Sequence, residues 1–200
     1  DDIRREFAIP PEAYVNTGFH RPNLFLEFSP TPALDRIETL KKKLAGSPAG
    51  PTIVYVTLQK TAESVAEALR EADQPAKAYH AGMKSETRSK IQDWFMASTN
   101  GIVVATIAFG MGIDKSDIRH IYHFNLPKTL ENYSQEIGRA GRDGSPSHCE
   151  ILGSNEDLIV LENFIYGDTP TEKSIDAFVE FILSQETEFD ISIYQLSHLT

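Results

Sequence analysis

Between Thr52 and Leu152, short apolar runs alternate with stretches of helical periodicity. This alternation constrains the fold more than any other property of the 200-residue chain. TIVYV from Thr52 precedes Ala62, Val65, Ala66 and Leu69 at helical spacing, and AKAYH from Ala76 precedes Ile91, Trp94 and Phe95. The pattern continues with an apolar strand from Ile102 to Thr106, a strand from His120 to Asn125, a helix from Thr129 to about Arg139, and a strand from His148 to Leu152. A strand that must be buried on both faces needs helices on both sides. Repeated βα units therefore predict an α/β fold: a three-layer αβα parallel sheet with functional loops at the carboxyl ends of its strands.

The flanks are read the same way. Asn23 to Ser29 alternates as a strand, and Thr31 followed by Pro32 predicts a helix start, with Leu34, Ile37, Leu40 and Leu44 on the buried face and Gly46 as the stop. Ala45 to Pro51 is a predicted loop. After Gly153 the strands end. Ser154 to Asp157 matches a capping box before Leu158, Leu161, Phe164 and Ile165. Thr171 caps a further helix, with Ile175, Phe178, Val179, Ile182 and Leu183 on its buried side. These elements predict a small helical appendage, and Asp190 to Thr200 predicts a new capped element.

Forty per cent apolar residues are enough for one full domain and part of a second. No apolar stretch approaches the roughly 20 residues of a membrane span, and the opening residues do not resemble a signal peptide, so a soluble intracellular chain is expected. The single cysteine, Cys149, excludes a disulfide frame and a cysteine-rich zinc centre, and is expected to be a buried thiol. The net charge of −10 argues against a nucleic-acid partner until it is divided: of 19 basic and 29 acidic residues, 1 and 10 respectively lie beyond residue 150. The remainder is nearly neutral and can still carry a local track of phosphate donors.

Three segments carry chemistry. In QEIGRAGRDG, Gln135 to Gly144, Arg139 and Arg142 stand three apart. Continued helical geometry through Arg139 brings them toward one side, while Gly138 and Gly141 permit close approach and a turn. Guanidinium groups are permanently charged and grip phosphate in bidentate fashion; the bland alternative is a solvated Arg-Gly turn paired with Glu136 or Asp143. In VVATIAFGMGIDK, Val103 to Lys115, a strand runs out at Thr106 into a loop with Gly110 and Gly112. Backbone N–H groups there can hold phosphate, and Asp114 can accept from a ribose hydroxyl. Finally, YHAG (Tyr79 to Gly82) and TIVYVTLQK (Thr52 to Lys60) end strands at helix starts. His80 either donates to a phosphate or caps and packs, and Thr57 with Lys60 either faces an anion or forms an ordinary N-cap.

In this order the motifs resemble the second RecA-like lobe of superfamily 2 helicases, and most closely the RecQ family of DNA helicases. The resemblance covers roughly residues 20 to 152. DEAD-box RNA helicases share the βα frame but usually carry a histidine-arginine pair where this chain has Gln135 and Glu136, and they lack the run from Ala108 to Ile113. The resemblance implies a RecA-like (P-loop NTPase-like) fold, with residues 1–22 an inter-lobe linker and 23–152 the lobe. Residues 153–189 would be an acidic helical segment and 190–200 the start of a further domain, such as a winged helix.

The resemblance also implies roles. Arg142 is the arginine finger and Arg139 a second phosphate-side group; Gln135, Gly138, Gly112 and Asp114 border the nucleotide. Thr57, Lys60, His80, Gly82 and Thr106 face the DNA backbone. ATP and Mg²⁺ would be held mainly by a first lobe, because neither GxxxxGK[ST] nor a DExH-type sequence occurs here, and this chain alone is expected to be inactive. The implied partners are single-stranded and forked DNA and that first lobe, with no membrane, in the cytoplasm or nucleoid of a bacterium or the nucleus of a eukaryote. RecQ proteins often follow this lobe with a four-cysteine zinc module. None can form here, and no zinc is expected. The alternatives are a non-catalytic nucleic-acid-binding or regulatory module of the same fold, and an RNA helicase of the same superfamily.

Overall fold

The computed structural model describes residues 2–13, 20–110, 113–166 and 171–185. Six strands form one sheet: β1 (Leu24–Phe28), β2 (Thr52–Tyr55), β3 (Ala76–Tyr79), β4 (Ile102–Ala105), β5 (His120–His123) and β6 (Ser147–Ile151). Their order is β1-β6-β5-β2-β4-β3, and every pairing is parallel. The helices are α1 (Asp2–Glu6), α2 (Arg36–Gly46), α3 (Gln59–Arg70), α4 (Ser85–Ala97), α5 (Leu130–Ile137), α6 (Glu156–Tyr166) and α7 (Glu172–Leu183).

The period of two along each strand divides the core into two layers. Val54, Val104, Tyr122 and Leu152 face α2 and α3, where they meet Leu40, Ala62, Val65 and Leu69. Their neighbours Ile53, Val103, Ile121 and Cys149 face the other way, onto Ile91 and Phe95 of α4 and onto Ile113, Ile118 and Ala140. The expected three-layer αβα parallel sheet is therefore what forms. Helices α2 to α5 link strands, but in the connection from β4 to β5 the described residues, 106–110 and 113–119, form no helix. That connection instead buries Phe109, Ile113 and Ile118 along the sheet.

The structure corrects several local expectations. Pro32 is extended (φ −54°, ψ 144°), and α2 starts only at Arg36, after a 3₁₀ turn over Ala33–Asp35. Thr31 does not cap it; its hydroxyl donates to the Ser29 carbonyl at 3.0 Å. Leu34, expected on the buried face, is 95% exposed because it falls in that turn, whereas Leu40 is buried. Helix α5 ends at Ile137 rather than Arg139, with Gly138 as its C-cap, and Arg139 and Ala140 follow in a tighter turn. Thr171 does cap α7 by accepting from the Ser174 N–H, but no residue of α7 is buried. Its apolar stripe, Ile175, Val179, Ile182 and Leu183, is exposed among the described residues. The element expected from Asp190 lies outside the described residues.

Helix α6 is tied to the sheet domain by one carboxylate. Asp157 accepts from the Ser154 N–H at 3.3 Å, the return half of the expected capping box, while Ser154 Oγ accepts from the Glu156 N–H. The same carboxylate accepts both Arg36 terminal nitrogens, Asn125 Nδ2 at 2.9 Å and the Leu126 N–H at 3.2 Å. A buried anion with this many donors is fully compensated.

Candidate functional site

Because the strands are parallel, their carboxyl ends share one edge. Tyr79 pairs with Ala105, Ala105 with Tyr55, and Tyr55 with His123, so His80 and Thr106 follow at the next position and Thr57 and Asn125 one residue further on. The Thr106 N–H donates to the Tyr79 carbonyl, and the Thr57 N–H donates to Asn125 Oδ1 at 3.2 Å. Helix α3 begins beside them with Leu58 as N-cap and no capping side chain, so Thr57 is not the cap. An uncapped helix start leaves N–H groups and a partial positive charge facing the edge. Lys60 is exposed on the first turn of α3.

His80 is nearly buried, with its Nε2 2.9 Å from Glu63 Oε1 and its Nδ1 without a hydrogen-bond partner. At Gly82 a Cβ would collide with Gln59 Oε1, so the absent side chain is what lets Gln59 lie across this turn. Behind the edge is a cavity of about 70 Å³ lined by Tyr55, Thr57, His123, Asn125 and Glu136. His123 Nε2 and Glu136 Oε2 lie 2.8 Å apart there, both buried. Burial pushes the Tyr55 phenol up, against the pull of the Arg139 charge.

The second cluster forms where the turn after α5 meets the connection between β4 and β5. Arg139 donates to the Gly110 carbonyl at 2.5 Å, and its Nε is buried without a partner. Gly110 has φ +145°, and a Cβ there would strike the Arg139 guanidinium. Arg142 donates to Asp114 Oδ1 at 2.8 Å; the two side chains are 38% and 88% exposed. Both arginines thus touch the same segment, though a turn rather than a continued helix brings them there. Gln135 is exposed and Gly138 half-buried, while Gly112 lies outside the described residues.

Neither partner proposed in the bland reading holds Arg142. Glu136 is taken by His123, and Asp143 by Arg119. The Ser145 N–H, with the Arg119 guanidinium, holds the Asp143 carboxyl below the usual carboxylate range.

Two residues before β1 complete this cluster and were missed by motif reading. Arg21 donates to the carbonyls of Ala140 and Gly141 at 3.0 and 2.7 Å. Asn23 donates to those of Gly141 and Ser145 at 2.8 and 2.9 Å. Gly141 (φ +53°) turns its carbonyl toward them. The only available signal was a polar HRPN run before a strand, which has no periodicity to interpret.

The sequence that builds this parallel αβα lobe matches a known family. Residues 35–144 match the family described as the helicase conserved C-terminal domain, and the chain belongs to that family. Within it, the likeness is to RecQ-like helicases. The RecQ-like DNA helicase blm-1 of Caenorhabditis elegans is 42% identical over 171 residues, covering 85% of this chain and 17% of that protein. The ATP-dependent DNA helicase RecQ of Bacillus subtilis (strain 168) is 38% identical over 173 residues, covering 86% of this chain and 29% of that protein. The chain spans less than a third of the length of these curated relatives. The E. coli DEAD-box protein SrmB, solved in complex with RraA, shares the fold: TM-score 0.62 at 22% identity, over 70% of this chain and 83% of that one. Among the described residues no helix is long and apolar enough to cross a membrane.

Proposed function

We propose that this chain is the second motor lobe of an ATP-dependent RecQ-like DNA helicase that unwinds in the 3′–5′ direction, and that Arg142 is its arginine finger. The observation that carries this reading is the state of Arg142. Its guanidinium is held at the surface by an almost fully exposed carboxylate, Asp114. Such a pair contributes about 0–1 kcal/mol and exchanges readily for a phosphate, which offers bidentate, charge-assisted acceptors.

The residues fit an anionic ligand. Arg139, anchored on Gly110, retains a buried Nε without a partner and serves as the second phosphate-side group. Gln135, Gly138, Gly112 and Asp114 border the nucleotide. ATP supplies the phosphoryl group and, with Mg²⁺, is held mainly by a first lobe, so these 200 residues alone do not turn it over. What Arg142 does is neutralise charge on the transferring group, an effect of roughly 10³- to 10⁵-fold in related systems. At the strand-end edge Thr57, Thr106, His80, Gly82 and Lys60 contact the backbone of single-stranded DNA ahead of a fork. Hydroxyls, an uncapped helix start and a lysine suit phosphates irrespective of base.

The test is Arg142→Ala in the full-length protein. ATP and DNA binding should persist while DNA-stimulated ATPase falls by at least about 10³-fold. Turnover within a few-fold of the unaltered protein would rule out the finger.

A further inference from the structure

We infer that Glu27, His148 and Glu150 form a binding site for one divalent cation of the zinc class, on the face of the sheet opposite Cys149 and away from both clusters described above. Glu27 of β1 stands directly opposite Glu150 of β6, and His148 lies two residues earlier on the same face of β6. Like charges directly opposite each other destabilise a sheet unless a cation lies between them.

Lys43 of α2 answers only half of that charge. Its ammonium contacts Glu150 Oε1 at 2.5 Å and lies 3.8 Å from Glu27 Oε1. Ser29 Oγ also donates to Glu150 Oε1, at 2.6 Å. The second oxygens face away from the lysine, toward His148. Its Nε2 is 3.2 Å from Glu27 Oε2 and 3.7 Å from Glu150 Oε2.

The Glu150 side chain is fully buried, yet its Oε2 has no hydrogen-bond partner. A buried carboxylate oxygen left so is costly, and it lies on the side of His148, where a cation held between the three residues would compensate it. One ligand atom from each residue falls within 4.8 Å of the others. Tetrahedral coordination with bonds of about 2.0–2.2 Å needs ligand atoms roughly 3.3–3.6 Å apart, and the two spacings from His148 Nε2, 3.2 and 3.7 Å, lie close to that. One imidazole and two carboxylates is a donor set that zinc accepts. Lys43 and Ser29 orient the buried carboxylate from behind, and the half-exposed Glu27 leaves a path from solvent. A histidine-carboxylate site needs no cysteine, so the cysteine count that excluded a zinc module did not bear on it.

The test is calorimetric titration of the chain with Zn²⁺, alongside visible ligand-field absorption with Co²⁺ as a spectroscopic substitute. The unaltered chain should bind one equivalent and gain thermal stability. His148→Ala and the surface variant Glu27→Gln, checked for folding by circular dichroism, should each bind at least about tenfold more weakly. No uptake by the unaltered chain, or equal uptake by the folded variants, overturns the site. Equal uptake would place the metal elsewhere, for example at His80 and Glu63.

Discussion

Arg36 and Asp157, 121 residues apart in sequence, meet in a bidentate ion pair of 2.9 and 2.7 Å with both side chains at most 5% exposed. Removing one partner of such a pair strands the other as a buried charge, at a cost of about 3–5 kcal/mol. Asp157→Ala also takes the acceptor from Asn125 Nδ2 and from the Leu126 and Ser154 N–H groups. Urea unfolding should therefore show a loss of that size. A loss below about 1 kcal/mol would mean the pair is solvated and screened like a surface contact.

Gly110→Ala tests the joint between the two arginine-bearing segments. Gly110 has φ +145°, and the added methyl meets the Arg139 guanidinium. The backbone strain should cost about 1–3 kcal/mol. In the full-length protein ATPase should fall by more than DNA binding does. Unchanged melting and unchanged turnover would show that the connection relaxes freely around position 110.

The buried thiol makes a pH prediction. Burial pushes Cys149 up from an ordinary 9.0 to about 12. The folded chain therefore keeps a proton that the unfolded chain gives up above pH 9, so this contribution to stability is complete below pH 9 and is lost as pH rises toward 12. Cys149→Ala should flatten the fall in stability between pH 9 and 11, measured by denaturant midpoint. In native protein at pH 8 the thiol should resist alkylation and react only on unfolding. Rapid native alkylation would contradict its burial.

The central strands were legible because they are short, β-branched and buried on both faces, as in Thr52–Tyr55 and Ile102–Ala105, whereas β1 was legible by alternation alone. Their order was not, since βα repetition specifies parallel neighbours without saying that β1 lies beside β6. Thr31-Pro32 read as a helix start because cap residues are local signals, but Thr31 bonds back to Ser29 and the chain first takes a 3₁₀ turn. The arginine turn was legible as a motif. Its partners were not: Asp114 lies 28 residues from Arg142, and Arg21 lies 119 from Ala140, distances across which no periodicity speaks. His148 and Glu150 share a strand face by their spacing, but Glu27 gave no signal toward them, because register alone brings it there.

The connection from β4 to β5, whose described residues form no helix, joins the strand-end edge, at Thr106, to the arginine turn, at Asp114. Phe109, Ile113 and Ile118 are at most 5% exposed, which pins it to the sheet at three points. Phe109 before residues 111 and 112, and Ile113 and Ile118 after them, tie both ends to the same layer of the core. A substitution that unseats Phe109 or Ile118 would therefore disturb both surfaces at once.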